Sequence, residues 1–478
     1  FLYFIGVALH FDLYPGGNMQ ISGQRKKQRG ATKPPSTSND QRGVATESTP
    51  AARDTAPPPP GAAGAGPTRH QERLSAVAVA NTPVGLPTAP TPAAPIAPVS
   101  VPDPAAPFTV DALLQHVTAP MSSEPEPPYT AAPGPKGDGH IRMMEPALAA
   151  AATVPFGSIA RDGGAQLLHV LNKFGFAVVA DVLQQEELAA VERMWADDLR
   201  SIVDVGSCKD EEAVKALLED PVHRWPMNKL PLGTKFASDW GLPQGKAAWH
   251  CRAHPNVRAT FAAVFGDDRL CTGMDNVFFS NVPSVPGSNA AQLSRLWPHA
   301  DQNSAVKPSG RFECYQGVLY IWPATEDTSA TVVWPRSHTL VYPQLMQRGS
   351  FKRHFCMLSG SEHADFARNA RRVTVHPGGL LLWNSRTVHQ GWPGGARLAF
   401  PICHEPASRR DHNALARKQQ VVLDGMPTTH WASLGEVHRV ASKDSGPLTA
   451  DGITIRHAAH TICVDSSGAL KREVLQFL

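Results

Sequence analysis

The sequence predicts a mainly β domain with flanking helices, a sandwich or barrel, behind a long N-terminal arm that lacks a fixed fold. Three observations predict it. Between about residues 270 and 404 the apolar runs are short, rich in β-branched and aromatic residues, and divided by Pro/Gly turns: QGVLYIWP, TVVWP, RRVTVHPGGLLLWNS and ARLAFPICH. Helical periodicity is concentrated before that region. The chain of 478 residues holds 44 Pro and 38 Gly, too many for one globule of this length, and much of the excess falls before residue 140.

Residues 1–140 are expected to be a disordered Pro/Ala/Gly-rich arm with polyproline II character, because stretches such as TAPTPAAPIAPVSVPDPAAP bury too little apolar surface to offset the entropy of ordering. VDALLQHV, at 110–117, is the one segment there with helical spacing. The opening FLYFIGVALHFDLY is roughly half the ~20 residues a spanning helix needs, so no integral membrane segment is expected. Met19 reads as a start, and the acid-poor stretch after it as either an organelle-targeting segment or a plain tail. The expected location is intracellular and cytoplasmic, with organelle targeting as the alternative. A net charge of +3, with only the short QRKKQR at 24–29, argues against nucleic acid as a partner. Seven scattered cysteines without a C-x-x-C pair suggest free thiols in a reducing compartment.

The folded part is predicted at 157–435, with a C-terminal extension at 436–478. A helix ends at Gly175, the strand FAVVA follows at 176–180, and LQQEELAAVERMWADDLRSIV places Leu188, Val191, Trp195, Leu199 and Ile202 on one helical face. AAWHCRAHPNVRATFAAVFG reads as one helix closed by Gly266, LCTGMDNVFFSNV as one strand, and 406–420 as a charged helix. The loop from Lys209 to Gly245, with Trp225, Met227 and Trp240, reads equally well as a lid or as core packing.

In WPHADQNSAV, His299 and Asp301 sit at i and i+2 of an extended segment and point to one face about 6 to 7 Å apart, so both can reach one ion. His389, at the far end of LLLWNSRTVH, offers a third ligand. Two imidazoles and a carboxylate leave positions open on Fe(II), although zinc accepts the same set. Arg397 favours iron. A hairpin centred near Gly394 is expected to set His389 opposite Ala399 with Arg397 diagonal to it, and its guanidinium suits the distal carboxylate of 2-oxoglutarate.

WPHADQNSAV, FECYQGVLYIWPA, VVWPRSH, HPGGLLLWNSRTVHQGW and RLAF occur in that order, flanked by GFAVVADVLQQEEL and GMPTTHW. Together they resemble the phytanoyl-CoA dioxygenase (PhyH) family of Fe(II)/2-oxoglutarate oxygenases, over about residues 165–432. The resemblance implies a double-stranded β-helix, or jelly roll; Fe(II) held by His299, Asp301 and His389; 2-oxoglutarate gripped by Arg397; O2 as the oxidant; and Gln316 in the 2-oxoglutarate pocket. His338, in PRSH, is expected to be structural. Because related halogenases lack the carboxylate, Asp301 points to hydroxylation of a small-molecule substrate. A Jumonji-type hydroxylase using Lys307 and a non-catalytic jelly-roll scaffold are the alternatives, and the oligomeric state is left open.

Overall fold

The short apolar runs of the second half of the chain pair into two sheets. They do so in a computed structural model that describes residues 141–478 apart from 207, 234–235, 284–295, 307–311, 349–353, 393, 439–440, 442–445 and 459–462. The expected arm, with Met19, QRKKQR and VDALLQHV, lies outside the described residues, as does Lys307.

In chain order the strands are β1 Thr153–Pro155, β2 Phe176–Ala180, β3 Val203–Asp204, β4 Leu270–Thr272, β5 Phe278–Ser280, β6 His299–Ala300, β7 Tyr315–Tyr320 and β8 Ala330–Val333. There follow β9 Cys356–Met357, β10 Arg371–Arg372, β11 Leu380–Asn384, β12 His389–Trp392, β13 Arg397–Ile402, β14 His404–Pro406, β15 Leu448–Ala450 and β16 Ile453–Ile455. The larger sheet runs β1-β2-β11-β7-β13-β5, parallel only between β1 and β2. The smaller runs β10-β8-β12-β6-β9 and is antiparallel throughout. The protein is thus mostly sheet with helices against it. The centre of the larger sheet is buried on both faces: every residue of β7 and β11 is buried, which is why LLLWN is a continuous run instead of an alternating one.

The helix Gln185–Ser201 buries Leu188, Val191, Trp195 and Leu199, as its spacing requires, with Ile202 buried just beyond it. A capping box between Gln184 and Glu187 sets its start. Three elements differ from expectation. The stretch after Lys246 forms two helices, Lys246–Ala253 and Pro255–Phe265, because Pro255 has no N–H to continue the first and pushes His254 to an extended ψ of 128°; Gly266 closes the second in the left-handed region (φ 63°). LCTGMDNVFFSNV is split into β4 and β5, with Gly273–Val277 leaving one sheet before joining another, since β4 pairs with β14 and β5 with β13. The helix expected at 406–420 lies at Ala414–Leu423 and is not purely a charged surface element, because Lys418 is fully buried in it.

The fold takes in residues on both sides of 157–435. β1 joins the larger sheet before Gly157. Beyond 435, β16 pairs with β3, and Thr272 N donates to Phe477 O at 2.8 Å. Trp225 and Trp240 are buried, their indole N–H groups donating to the carbonyls of Leu230 and Pro231, so the Lys209–Gly245 segment is core packing at these rings. All seven cysteines are free, and six are buried. Among the described residues, no helix is long and apolar enough to cross a membrane.

Candidate metal centre

His299 on β6 and His389 on β12 are cross-strand partners in the smaller sheet. That pairing brings their rings to a centroid separation of 4.4 Å. Asp301 follows two residues after His299 and completes a group whose ligand atoms all lie within 4.8 Å of one another. All three side chains are buried. His299 Nε2 lies 3.4 Å from Asp301 Oδ1, and His389 Nε2 lies 3.3 Å from Oδ2.

The surroundings fix the imidazole tautomers. His299 Nδ1 donates to Trp297 O and His389 Nδ1 to Thr387 O, each at 3.0 Å. With the proton on Nδ1, each Nε2 carries its lone pair toward Asp301, the orientation a cation needs. Ser337 Oγ accepts from Val388 N at 2.7 Å and anchors the chain one residue before His389. Burial lowers the His299 pKa to about 3 against the pull of Asp301, with His389 adding to the lowering, so the ring is neutral and ready to ligate. Burial alone would raise the Asp301 pKa, but the imidazoles of His299, His430 and His389 hold it well below the ordinary carboxylate range. Asp301 Oδ1 is buried with no hydrogen-bond partner. A divalent cation supplies what that oxygen lacks, and a 2-His-1-carboxylate set is a known iron set. The residues therefore fit a metal.

The centre opens on a cavity of about 790 Å³, lined from both sheets. Arg397 reaches it from β13 by a route other than the one expected. β12 and β13 do not form a hairpin: β12 has both edges taken by β8 and β6, and β13 by β7 and β5. The link between them crosses from one sheet to the other, so His389 is opposite His299 and Val333, while Ala399 is opposite Tyr320 and Phe278. The Arg397 guanidinium is buried, stacks 4.2 Å over the Phe278 ring, and donates from Nη2 to Tyr320 Oη (2.8 Å) and Thr331 Oγ1 (3.2 Å). Its Nε has no partner, and no carboxylate among the described residues pairs with it. Burial lowers its pKa, with Tyr320 opposing. A buried guanidinium with only neutral neighbours is poised for an anion from outside the chain.

Gln316 lines the same cavity, but its nearest contact is the metal group: Nε2 donates to Asp301 Oδ2 at 2.9 Å, with Ser385 Oγ further away at 3.4 Å. His338 stands apart, with Nε2 3.0 Å from Asn172 O, in the structural role expected of it. Sequence reasoning missed Asp275, Asn276 and His430 as cavity residues. The first two fall inside the strand that LCTGMDNVFFSNV predicts, although Gly273 and the Asp-Asn pair are poor strand formers and signal a break. His430 lies in GMPTTHW, a flanking motif whose spacing by itself assigns no role.

The buried His/Asp/His group fits Fe(II), with 2-oxoglutarate and O2 as co-substrates, the set of a 2-oxoglutarate-dependent oxygenase. Residues 171–394 match the family model described as phytanoyl-CoA dioxygenase (PhyH). A curated relative, Ava biosynthesis cluster protein O of Aspergillus versicolor, is 26% identical over 227 residues, 43% of this chain and 70% of the relative. The crystal structure of GlcNAc Inducible Gene 2 from Candida albicans is similar over 59% of this chain and 73% of that chain, at 14% identity and a TM-score of 0.37. The epimerase SnoN, in complex with Fe3+, alpha ketoglutarate and nogalamycin RO, is similar over 52% and 84% respectively, at 16% identity and a TM-score of 0.31.

Proposed function

We propose that this protein hydroxylates a small-molecule substrate at a C–H bond while converting 2-oxoglutarate to succinate and CO2. The observation that carries the reading is one cavity that holds both a buried, tautomer-fixed His299/Asp301/His389 group and a buried Arg397 without an anionic partner. Bound iron with 2-oxoglutarate and O2 would supply the oxidising chemistry. The chain's own part is geometric and electrostatic. His299 and His389 present Nε2, Asp301 presents a carboxylate kept ionised, and Gln316 holds one oxygen of that carboxylate in place. Arg397, oriented by Tyr320 and Thr331, would take the far carboxylate of 2-oxoglutarate and set its direction in the cavity.

We read the two sheets as a double-stranded β-helix. Their strand orders and the placement of the metal group on β6 and β12 of the smaller sheet support this. The oxygenase domain is proposed to extend over 141–478, because β1 and β16 pair with strands of the same unit. Anaerobic loading with Fe(II), followed by 2-oxoglutarate and O2, tests the reaction: wild type is expected to release succinate, and His299→Ala to lose at least about 100-fold of that rate. Equal rates would instead support a scaffold in which the group is unused.

A further inference from the structure

One wall of the cavity is built from two segments that supply no member of the His299/Asp301/His389 group, around Asp275 and around His430. A reciprocal pair of bonds joins them: Met274 N donates to Thr428 Oγ1, and Thr428 N to Met274 O, each at 2.7 Å. This wall carries buried polar atoms without partners. Asn276 is 2% exposed and lines the cavity. Its backbone N–H and its Nδ2 both donate to Asp275 Oδ1, at 2.7 and 3.0 Å, which fixes the side-chain amide and leaves its Oδ1 buried with nothing to accept from. His430 Nε2 and Trp431 Nε1 are orphaned in the same wall. Groups of this kind are costly to bury unless a ligand completes them.

The charge balance names the kind of ligand, and this step rests on the oxygenase reading. Iron and Arg397 are matched by Asp301 and the two carboxylates of 2-oxoglutarate. The remaining acids of the cavity are then Asp275 in the wall and the exposed Glu436, and no Lys or Arg other than Arg397 lines the cavity among the described residues. Arg252, outside the cavity lining, donates from Nη2 to the Asp275 backbone carbonyl at 2.7 Å, and its charge also acts on the Asp275 carboxylate. Burial raises the Asp275 carboxyl to about 7, against the pull of the Asn276 N–H and of the Arg252 charge. Phe236, Trp297 and Trp431 add aromatic surface of the kind that attracts an organic cation.

We propose that this wall is the substrate-recognition site and that it takes a protonated amine, with the nitrogen donating to the Asp275 carboxylate and to Asn276 Oδ1. Glu436 stands exposed where it can draw such a cation toward the cavity. The test uses tryptamine and tryptophol, which differ in ammonium against hydroxyl, in equilibrium dialysis against the full chain held anaerobically with Fe(II) and 2-oxoglutarate. Wild type is expected to bind tryptamine at least roughly tenfold more tightly than tryptophol. Asp275→Asn should abolish that preference, and Glu436→Gln, an exposed position that folding tolerates, should reduce it. Equal binding of the two probes, a preference that survives Asp275→Asn, or no tryptamine bound at millimolar concentration overturns the proposal. Dialysis of 2-oxoglutarate alone, read separately, distinguishes failure of the cofactor reading, on which the charge balance rests, from failure of the amine site itself.

Discussion

Gln316 shows how a single contact changes a role. The family resemblance implies a 2-oxoglutarate pocket residue, but its amide donates to Asp301 Oδ2, so its first effect falls on the carboxylate of the proposed metal group. Partners of ligating groups commonly contribute 10–100-fold in metal affinity. Gln316→Leu is therefore expected to weaken Fe(II) binding by about that factor while leaving the 2-oxoglutarate Kd of the fully metal-loaded enzyme within about twofold. Titrating metal and co-substrate separately decides it, and the reverse pattern would return Gln316 to the co-substrate. Arg397 illustrates the opposite case, a residue picked from sequence whose guanidinium is buried at the cavity with no carboxylate beside it among the described residues. Its environment of Phe278, Tyr320 and Thr331 is neutral, so Arg397→Met is expected to raise the KM for 2-oxoglutarate more than about tenfold, in line with losing a charge-assisted bond from a buried site.

At the level of elements, the link from β12 to β13 matters most. It must leave one sheet and enter the other within four residues, and Gly395 makes this possible with φ 85° and a backbone that passes close to Asp327. A Cβ there would come within 2.2 Å of Asp327 O, where only backbone could yield. Gly395→Ala is thus expected to cost about 1–3 kcal/mol or more, seen as a lowered Tm, and to loosen Arg397 two residues on. GG in a turn suggested a hairpin because local spacing favours the simplest connection between adjacent strands. Which edges are already occupied is a property of β5, β6, β7 and β8, all far away in sequence. The single helix expected after Lys246 failed for a legible reason, since Pro255 stood in the middle of it.

For the whole molecule, burial of histidines sets the response to acid. The buried His404 has its pKa lowered to about 3, first by burial and then by nearby Arg258, and burial lowers that of His438 to about 4. Their folded values lie below the ordinary 6.5, so the unfolded chain binds the extra protons. The stability they contribute is complete above about pH 6.5 and is lost as pH falls toward 4, at up to about 1.4 kcal/mol per pH unit for each ring. His404→Phe is expected to flatten part of this slope in denaturant titrations of the metal-free protein between pH 6.5 and 4; an unchanged slope would show that His404 is not one of the titrating groups.

The short β-rich runs, the amphipathic helix 185–201 and the ordered motifs around His299, Asp301, His389 and Arg397 were all legible in the sequence, because each depends on local period or on residue type at fixed spacing. The sequence alone therefore determined a mainly β oxygenase and named the three residues that come together as a group able to hold a metal. Tertiary structure decided what those residues touch. It paired His299 with His389 across β6 and β12, sent Arg397 in from the other sheet, turned Gln316 onto Asp301, and joined Asp275 and Asn276 to the His430 segment as a second polar wall. Such contacts join positions tens to more than a hundred residues apart, and their geometry is set by which strand edges are free and which polar atoms burial leaves without water.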